Sequence, residues 1–266
     1  MTEAPPSAHA TAAESPANPP PTTTTRGRPA PVEEAALTRP LGHQQLVALE
    51  HPPPVGIEGV DGRTHHVRFS DIEFTGDCVL GAIVETRVYE DAKGRPRLSL
   101  AVRSDLTIEA QVTARGATWI DRQLLAKEPA LSNGGFGAEV REAMDRRVDH
   151  LVAEGLARGQ GRRIVFSRDL LNTLRRRELD ETAAKLSADT GLPHQSSAEG
   201  EHVSGTYRQR ITLASGRFAM IDDGLGFQLV PWRPALEKQL GKHVSGVMSP
   251  GGGVEWNFGR KRWLGL

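Results

Sequence analysis

The residues with the strongest claim to chemistry in this chain are few, and most lack the neighbours that chemistry needs. His65-His66 suggests metal binding, but adjacent residues on a strand point to opposite faces, so the two imidazoles cannot chelate one ion. The only two tyrosines, Tyr89 and Tyr207, sit inside runs that alternate like strands, which argues against a tyrosine nucleophile for strand nicking. Asp222-Asp223 is followed by Gly224 and reads as a hairpin turn before it reads as a metal pair. Gly251-Gly252-Gly253 lacks the lysine, the Ser/Thr and the following helix of a phosphate loop. Ser245 and Ser249 have no nucleophile motif around them, and Cys78 has no CxxC partner. These residues imply no catalytic constellation, no metal site and no cofactor.

Arginine is the remaining candidate. The chain has 33 basic and 33 acidic side chains, so any hold on a polyanion must come from local clustering. Arg158, Arg162 and Arg163 flank a glycine turn, Gly159-Gln160-Gly161, and Arg168 and the run Arg175-Arg176-Arg177 follow. A second basic run, Arg260-Lys261-Arg262, stands near the end of the chain and is a candidate translocation signal or basic tail. Aromatics Trp232, Trp256, Trp263, Phe218, Phe227 and Phe258 gather in the last quarter beside Arg217, Arg233 and Arg260. They could stack single-stranded bases, but filling a small β core is the favoured reading.

The elements that must position these side chains form an α+β pattern in four parts. Residues 1–54 hold twelve of the eighteen prolines together with Thr22-Thr23-Thr24-Thr25, a composition that buries too little apolar area to offset chain ordering. A disordered or polyproline-like tail is expected there, with at most a short helix around Gln44–Glu50. Residues 55–104 alternate with period two around Asp61-Gly62 and Asp91-Ala92-Lys93-Gly94, predicting a small antiparallel β subdomain of three or four strands.

Residues 105–192 predict a helical, winged-helix-like domain. Asp105 is expected to cap a helix over Leu106–Val112, and a second helix spans about Ala117–Lys127. A third, about Phe136–Glu154, carries the stripe Val140, Ala143, Met144, Val148, Leu151 and Val152. A glycine-turn hairpin acts as the wing, and a last helix runs to Gly191. The outward face of the third helix shows Glu142, Asp145, Arg146 and Asp149, which a phosphate backbone would repel on balance. Arg147 points back toward the apolar stripe and is expected to be salt-bridged. Phosphate contact through the wing is therefore favoured over base reading in the groove, with a helical domain that carries solvated arginines and touches no DNA as the competing reading. Residues 193–266 predict a C-terminal β-rich subdomain.

The single cysteine fits a reducing compartment, and the N-terminus shows neither a basic n-region nor an apolar h-region, so a cytoplasmic protein is expected. No run approaches the roughly 18 apolar residues of a membrane span, so no membrane insertion is expected.

Long motifs add a family resemblance. They are Val60-Asp61-Gly62-Arg63-Thr64-His65-His66-Val67-Arg68-Phe69, Gly116-Ala117-Thr118-Trp119-Ile120-Asp121-Arg122-Gln123-Leu124-Leu125, Gly205-Thr206-Tyr207-Arg208-Gln209-Arg210, Ser215 through Trp232, and Phe258-Gly259-Arg260-Lys261-Arg262. In this order they resemble the domain of unknown function that forms the C-terminal half of bacterial conjugal-transfer relaxases, mobilisation nucleases of the VirD type. The resemblance spans about Val60–Leu266 and lacks the nuclease domain. It implies a non-catalytic accessory role in DNA transfer, with weak DNA contact or docking on a relaxase domain or a type IV secretion coupling protein. A protein-interaction module without DNA contact, a remnant without function, and an enzyme with an unrecognised pocket stand as alternatives. The segment Gln44–Ile57 does not resemble the strand and turn expected before Val60, which implies a truncated first sheet.

Overall fold

The computed structural model describes residues 38–40, 55–67, 78–126, 130–161 and 163–258. The possible helix around Gln44–Glu50, Arg162 and the run Arg260-Lys261-Arg262 lie outside these. The described chain is α+β, with a small antiparallel sheet, a helical centre and a C-terminal antiparallel sheet.

Among the described residues the first sheet has five strands rather than three or four: β1 Thr38–Pro40, β2 Val55–Gly59, β3 Thr64–Val67, β4 Ile83–Glu90 and β5 Pro96–Ser104, in the order β3-β2-β1-β4-β5. This corrects two expectations. Thr38–Pro40, assigned to the tail, pairs antiparallel with β2 and bridges to β4, and β2 supplies the strand thought missing before Val60. A three-residue strand with proline at its end carries no period-two signal of its own; pairing partners far along the chain make it a strand.

The β4–β5 turn is built on one carboxylate. Asp91 Oδ1 accepts the Lys93 and Arg95 N–H groups at 2.9 and 3.0 Å, and Oδ2 accepts Arg95 Nε and Arg97 Nε at 2.9 and 3.1 Å. The Arg95 backbone bond leads in pulling the Asp91 pKa from an ordinary 3.8 to about 2. A carboxylate with a depressed pKa stabilises the fold above its unfolded value and loses that contribution as pH falls through the folded one. An NMR titration of the Asp91 carboxyl carbon should therefore show a midpoint near 2, and a midpoint near 4 would show that the turn bonds do not form in solution.

The helical centre contains α1 Ile108–Val112, α2 Trp119–Leu125, α3 Gly135–Ala153, the hairpin β6 Ala157–Gln160 and β7 Arg163–Phe166, and α4 Leu170–Thr190. Three helices followed by a hairpin follow the winged-helix order. The cap of α1 corrects the sequence reading: Thr107 Oγ1 accepts the Ala110 N–H, while Asp105 is drawn away to Arg217, with Nε to Oδ2 at 2.8 Å. Thr118 and Asp121 form a reciprocal capping box on α2. The α3 stripe is confirmed at Val140, Ala143 and Leu151, but Val152 is exposed and Arg147 takes its place in the seam, fully buried. Gly191, at φ 72°, ends α4 in the left-handed conformation that glycine tolerates.

Glycines in the first turn of α3 and in the β2–β3 turn have a packing role. A Cβ on Gly137 would lie 2.3 Å from the Val60 carbonyl oxygen, and one on Gly62 would lie 2.6 Å from Ser132 Oγ. The β2–β3 turn thus presses directly on the start of α3, and Ile83, Trp119, Ile120, Phe136 and Val140 close one core beside it.

The C-terminal sheet comprises β8 His202–Leu213, β9 Gly216–Asp222, β10 Phe227–Pro231, β11 His243–Met248 and β12 Val254–Trp256, in the order β10-β9-β8-β11-β12. One face holds Val203, Tyr207, Ala219, Ile221, Val230 and Val244 under Leu236 of a short 3-10 helix, Pro234–Gln239. On the other face, Ala183 of α4 covers Met220 and Phe227. The aromatics are core in the main: Phe218 and Phe227 are buried, and Trp232 and Trp256 pack on the first cluster.

Candidate functional site

The hairpin β6–β7 sets the geometry of the predicted arginines. Its register pairs Arg158 with Val165 and Gln160 with Arg163. Side chains alternate across a strand, so Arg158, Gln160, Arg163 and Val165 share one face, and Ala157, Gly159, Ile164 and Phe166 share the other. Ala157 is buried in the core of Leu151, Leu156 and Leu170 with Phe166 against it, which fixes the arginine face outward. Arg158 and Arg163 are exposed, and neither has a hydrogen bond or an ion pair among the described residues. Arg168, between β7 and α4, and Arg176, in the first half of α4, are likewise exposed and unpaired among those residues.

The run Arg175-Arg176-Arg177 does not act as one patch. Successive helix residues are rotated by about 100°, which sends the three guanidinium groups to different neighbours. Arg177 pairs with Glu154 at the end of α3, 3.6 Å away. Arg175 turns to the C-terminal sheet and lies over the Phe218 ring, 5.3 Å from its centroid. Arg176 and Arg177 are both exposed, and of the three only Arg176 has no partner among the described residues. The sequence places all three together because i, i+1 and i+2 are adjacent in a string, although they do not share a helix face.

The outer face of α3 has the predicted sign. Arg146 is committed to Glu109, with Nη1 to Oε2 at 2.8 Å, and Arg141 donates to the Leu131 and Ser132 carbonyls. Glu142, Asp145 and Asp149 are exposed. A phosphate backbone laid along this helix would meet carboxylates.

The other candidates fall where turn and core chemistry puts them. His65 Nε2 bonds Asp61 at 3.1 Å while His66 is exposed on the opposite side. Asp222 Oδ1 accepts the Gly224 N–H, and Asp223 Oδ1 accepts the Leu225 and Gly226 N–H groups, as a turn requires. Among the described residues, no three His, Cys, Asp or Glu side chains come together to hold a metal.

One recess escaped the sequence reading. A cavity of about 530 Å³ opens on the C-terminal sheet where β8 leaves β9 and turns to β11, lined by Gln195, His202, Ser204, Thr206, Arg208 and His243 among others. Ser204 Oγ lies 3.3 Å from His243 Nε2, and Arg208 Nε donates to Asp222 Oδ2 at 2.8 Å. No described carboxylate bonds His243, so the serine–histidine pair lacks the group that would orient the imidazole. The signal was the alternation His202-Val203-Ser204-Gly205-Thr206; the strand starts there rather than at Tyr207, and its polar positions face the recess.

Residues 86–265 match the family model described as a protein of unknown function, DUF3363. No curated protein and no solved structure matches the chain. No helix among the described residues is long and apolar enough to cross a membrane. With about two thirds of its length inside that match, running from the middle of β4 through the helical centre and the C-terminal sheet, this chain belongs to the DUF3363 family.

Proposed function

We propose that this protein is a non-catalytic accessory module for DNA transfer that holds DNA weakly through the β6–β7 hairpin. The observation that carries the reading is the shared outward face of Arg158 and Arg163, two cations with no carboxylate partner among the described residues. Arg168 and Arg176 are further exposed cations without a carboxylate partner among the described residues, and the acidic face of α3 directs a polyanion to the hairpin rather than to the helix. The resemblance to the C-terminal half of conjugal-transfer relaxases supplies the context, a cytoplasmic role beside a nicking enzyme.

Filter binding of short duplex and single-stranded DNA at two salt concentrations tests it. Each lost phosphate contact lowers the duplex log–log salt slope by about 0.9, so Arg158→Ala with Arg163→Ala should lower it by about 2 and weaken binding several-fold. An unchanged slope in that double variant removes the hairpin from the account.

A second reading has its own support. The exposed Glu142, Asp145 and Asp149 form a surface that suits a basic protein partner, such as a relaxase domain or a type IV secretion coupling protein. Pull-down of either partner, lost in a variant with the three residues changed to Asn or Gln, would favour docking over DNA contact.

A further inference from the structure

Arginines far apart in sequence are gathered beside the turn that joins β11 to β12. Arg175 comes from α4, and its Nη1 lies 3.9 Å from the point where a side chain on Gly252 would begin. Arg233 comes from the segment after β10, and its Nη2 lies 2.6 Å from the corresponding point on Gly253. Two guanidinium groups therefore flank consecutive glycines, and at Gly253 a side chain would occupy the space that the guanidinium uses. Arg122 of α2 is close enough for the Arg175 and Arg103 charges to act on it.

The charges at this junction are poorly compensated. Arg103 is ion-paired with Glu85. Arg122, Arg175 and Arg233 have neither an ion pair nor a hydrogen bond to a carboxylate among the described residues. Asp121 acts on Arg122 through space, but its oxygens are bonded to Arg147 and Thr118. Burial lowers the affinity of Arg122 and Arg175 for their protons, and at Arg122 the like charges of Arg103 and Arg175 add to that effect. Folding thus brings Arg175 and Arg233 to one turn, half-buries Arg175 and leaves Arg122 and Arg233 exposed at the surface, a concentration of positive charge that an anion reaching the turn would offset.

We propose that Arg175 and Arg233, set against the glycine turn Ser249–Gly253, form a binding site for a phosphate group to which the nearby charge of Arg122 contributes. The planar guanidinium fork matches phosphate oxygens, and the glycines let a ligand approach the backbone where side chains would block it. This site is separate from the hairpin and does not depend on the DNA reading. The phosphate has two possible sources, a free phosphorylated small molecule or the backbone of a nucleic-acid strand.

Thermal unfolding of the full chain in inorganic pyrophosphate, against sodium chloride at matched ionic strength, tests the proposal. Pyrophosphate should raise Tm in a saturable way, because a ligand that binds only the folded state stabilises it. Arg122→Gln with Arg233→Gln should weaken pyrophosphate binding by about tenfold or more, as loss of charged hydrogen bonds does. The same variant should keep or gain stability in chloride, because like charges are removed; Arg175 is left in place because it covers Phe218. Arg233→Gln alone serves if the double variant does not fold. A Tm that rises no more than in chloride, or a rise that persists in the variants, overturns the site. Titration of a single-stranded oligonucleotide into Arg158→Ala/Arg163→Ala protein, with and without the two glutamines, then identifies the source. A strand affinity that falls about tenfold assigns the site to a nucleic-acid backbone, whereas unchanged strand binding assigns it to a small phosphorylated ligand.

Discussion

Replacing Arg147 with alanine should destabilise the folded protein by about 3–5 kcal/mol, the range for breaking a buried ion pair from one side. The side chains of Arg147 and Asp121 are both fully buried. All five guanidinium N–H groups are used. Nε and Nη2 donate to Asp121 Oδ1 and Oδ2 at 2.8 and 2.9 Å, Nη1 donates to the Val112 and Ala114 carbonyls at 3.1 and 2.6 Å, and Nη2 also donates to Gly116 at 3.1 Å. Asp121 in turn accepts the Thr118 N–H and Oγ1–H at 2.7 and 2.8 Å. One residue on α3 therefore ties the end of α1, the loop after it and the cap of α2 into a single network. Lysine cannot reproduce it, since an ammonium is a point charge with three donors, so Arg147→Lys should cost nearly as much as Arg147→Ala. Arg147→Met combined with Asp121→Leu should recover part of the loss, because no lone charge is left in the core. Urea unfolding of the three variants and the unchanged protein gives these numbers. A loss under about 1 kcal/mol for Arg147→Ala would mean that water reaches the site.

The second large effect is expected at Gly116 and Glu178, where α4 holds the turn between β8 and β9. Glu178 accepts the Ala214 and Ser215 N–H groups at 2.8 and 2.9 Å, and Ser215 Oγ accepts the Ala117 N–H at 2.9 Å. A Cβ on Gly116 would stand 1.9 Å from Glu178 Oε2. Glu178→Ala leaves two part-buried N–H groups without their acceptor, at about 1–3 kcal/mol each. Gly116→Ala expels the carboxylate and should cost a similar amount by the same route. Because both substitutions break one contact, the double variant should lose clearly less than the sum of the singles. Additive losses in a denaturant cycle would show that Gly116 and Glu178 act independently.

Much of this architecture was legible in the residues. Period-two runs marked β4, β5, β9 and β10, the 3.6-residue stripe marked α3, and Asp222-Asp223-Gly224 marked the turn that it makes. Misreadings came where local signals competed. Asp105 and Thr107 are both good caps, and Thr107 serves because Asp105 is drawn to Arg217, more than a hundred residues away. Val152 fits the α3 stripe by spacing alone, but the seam is closed by Arg147, whose partner carboxylate cannot be identified from helix periodicity.

The sequence by itself determined where most of the strands and helices lie, though not β1 or the start of β8, which residues turn the chain, and that Arg158 and Arg163 flank a glycine hairpin. These follow from backbone conformation and from burial of a periodic apolar face, and both are local properties. Only the tertiary structure decided what each charge meets. It sent Arg175, Arg176 and Arg177 in three directions, buried Arg147 on Asp121, and set Arg175 and Arg233 against the glycines of one turn. The reason is physical: a charge takes its energy from neighbours within a few ångströms and from the water that it loses, and packing between distant segments sets both.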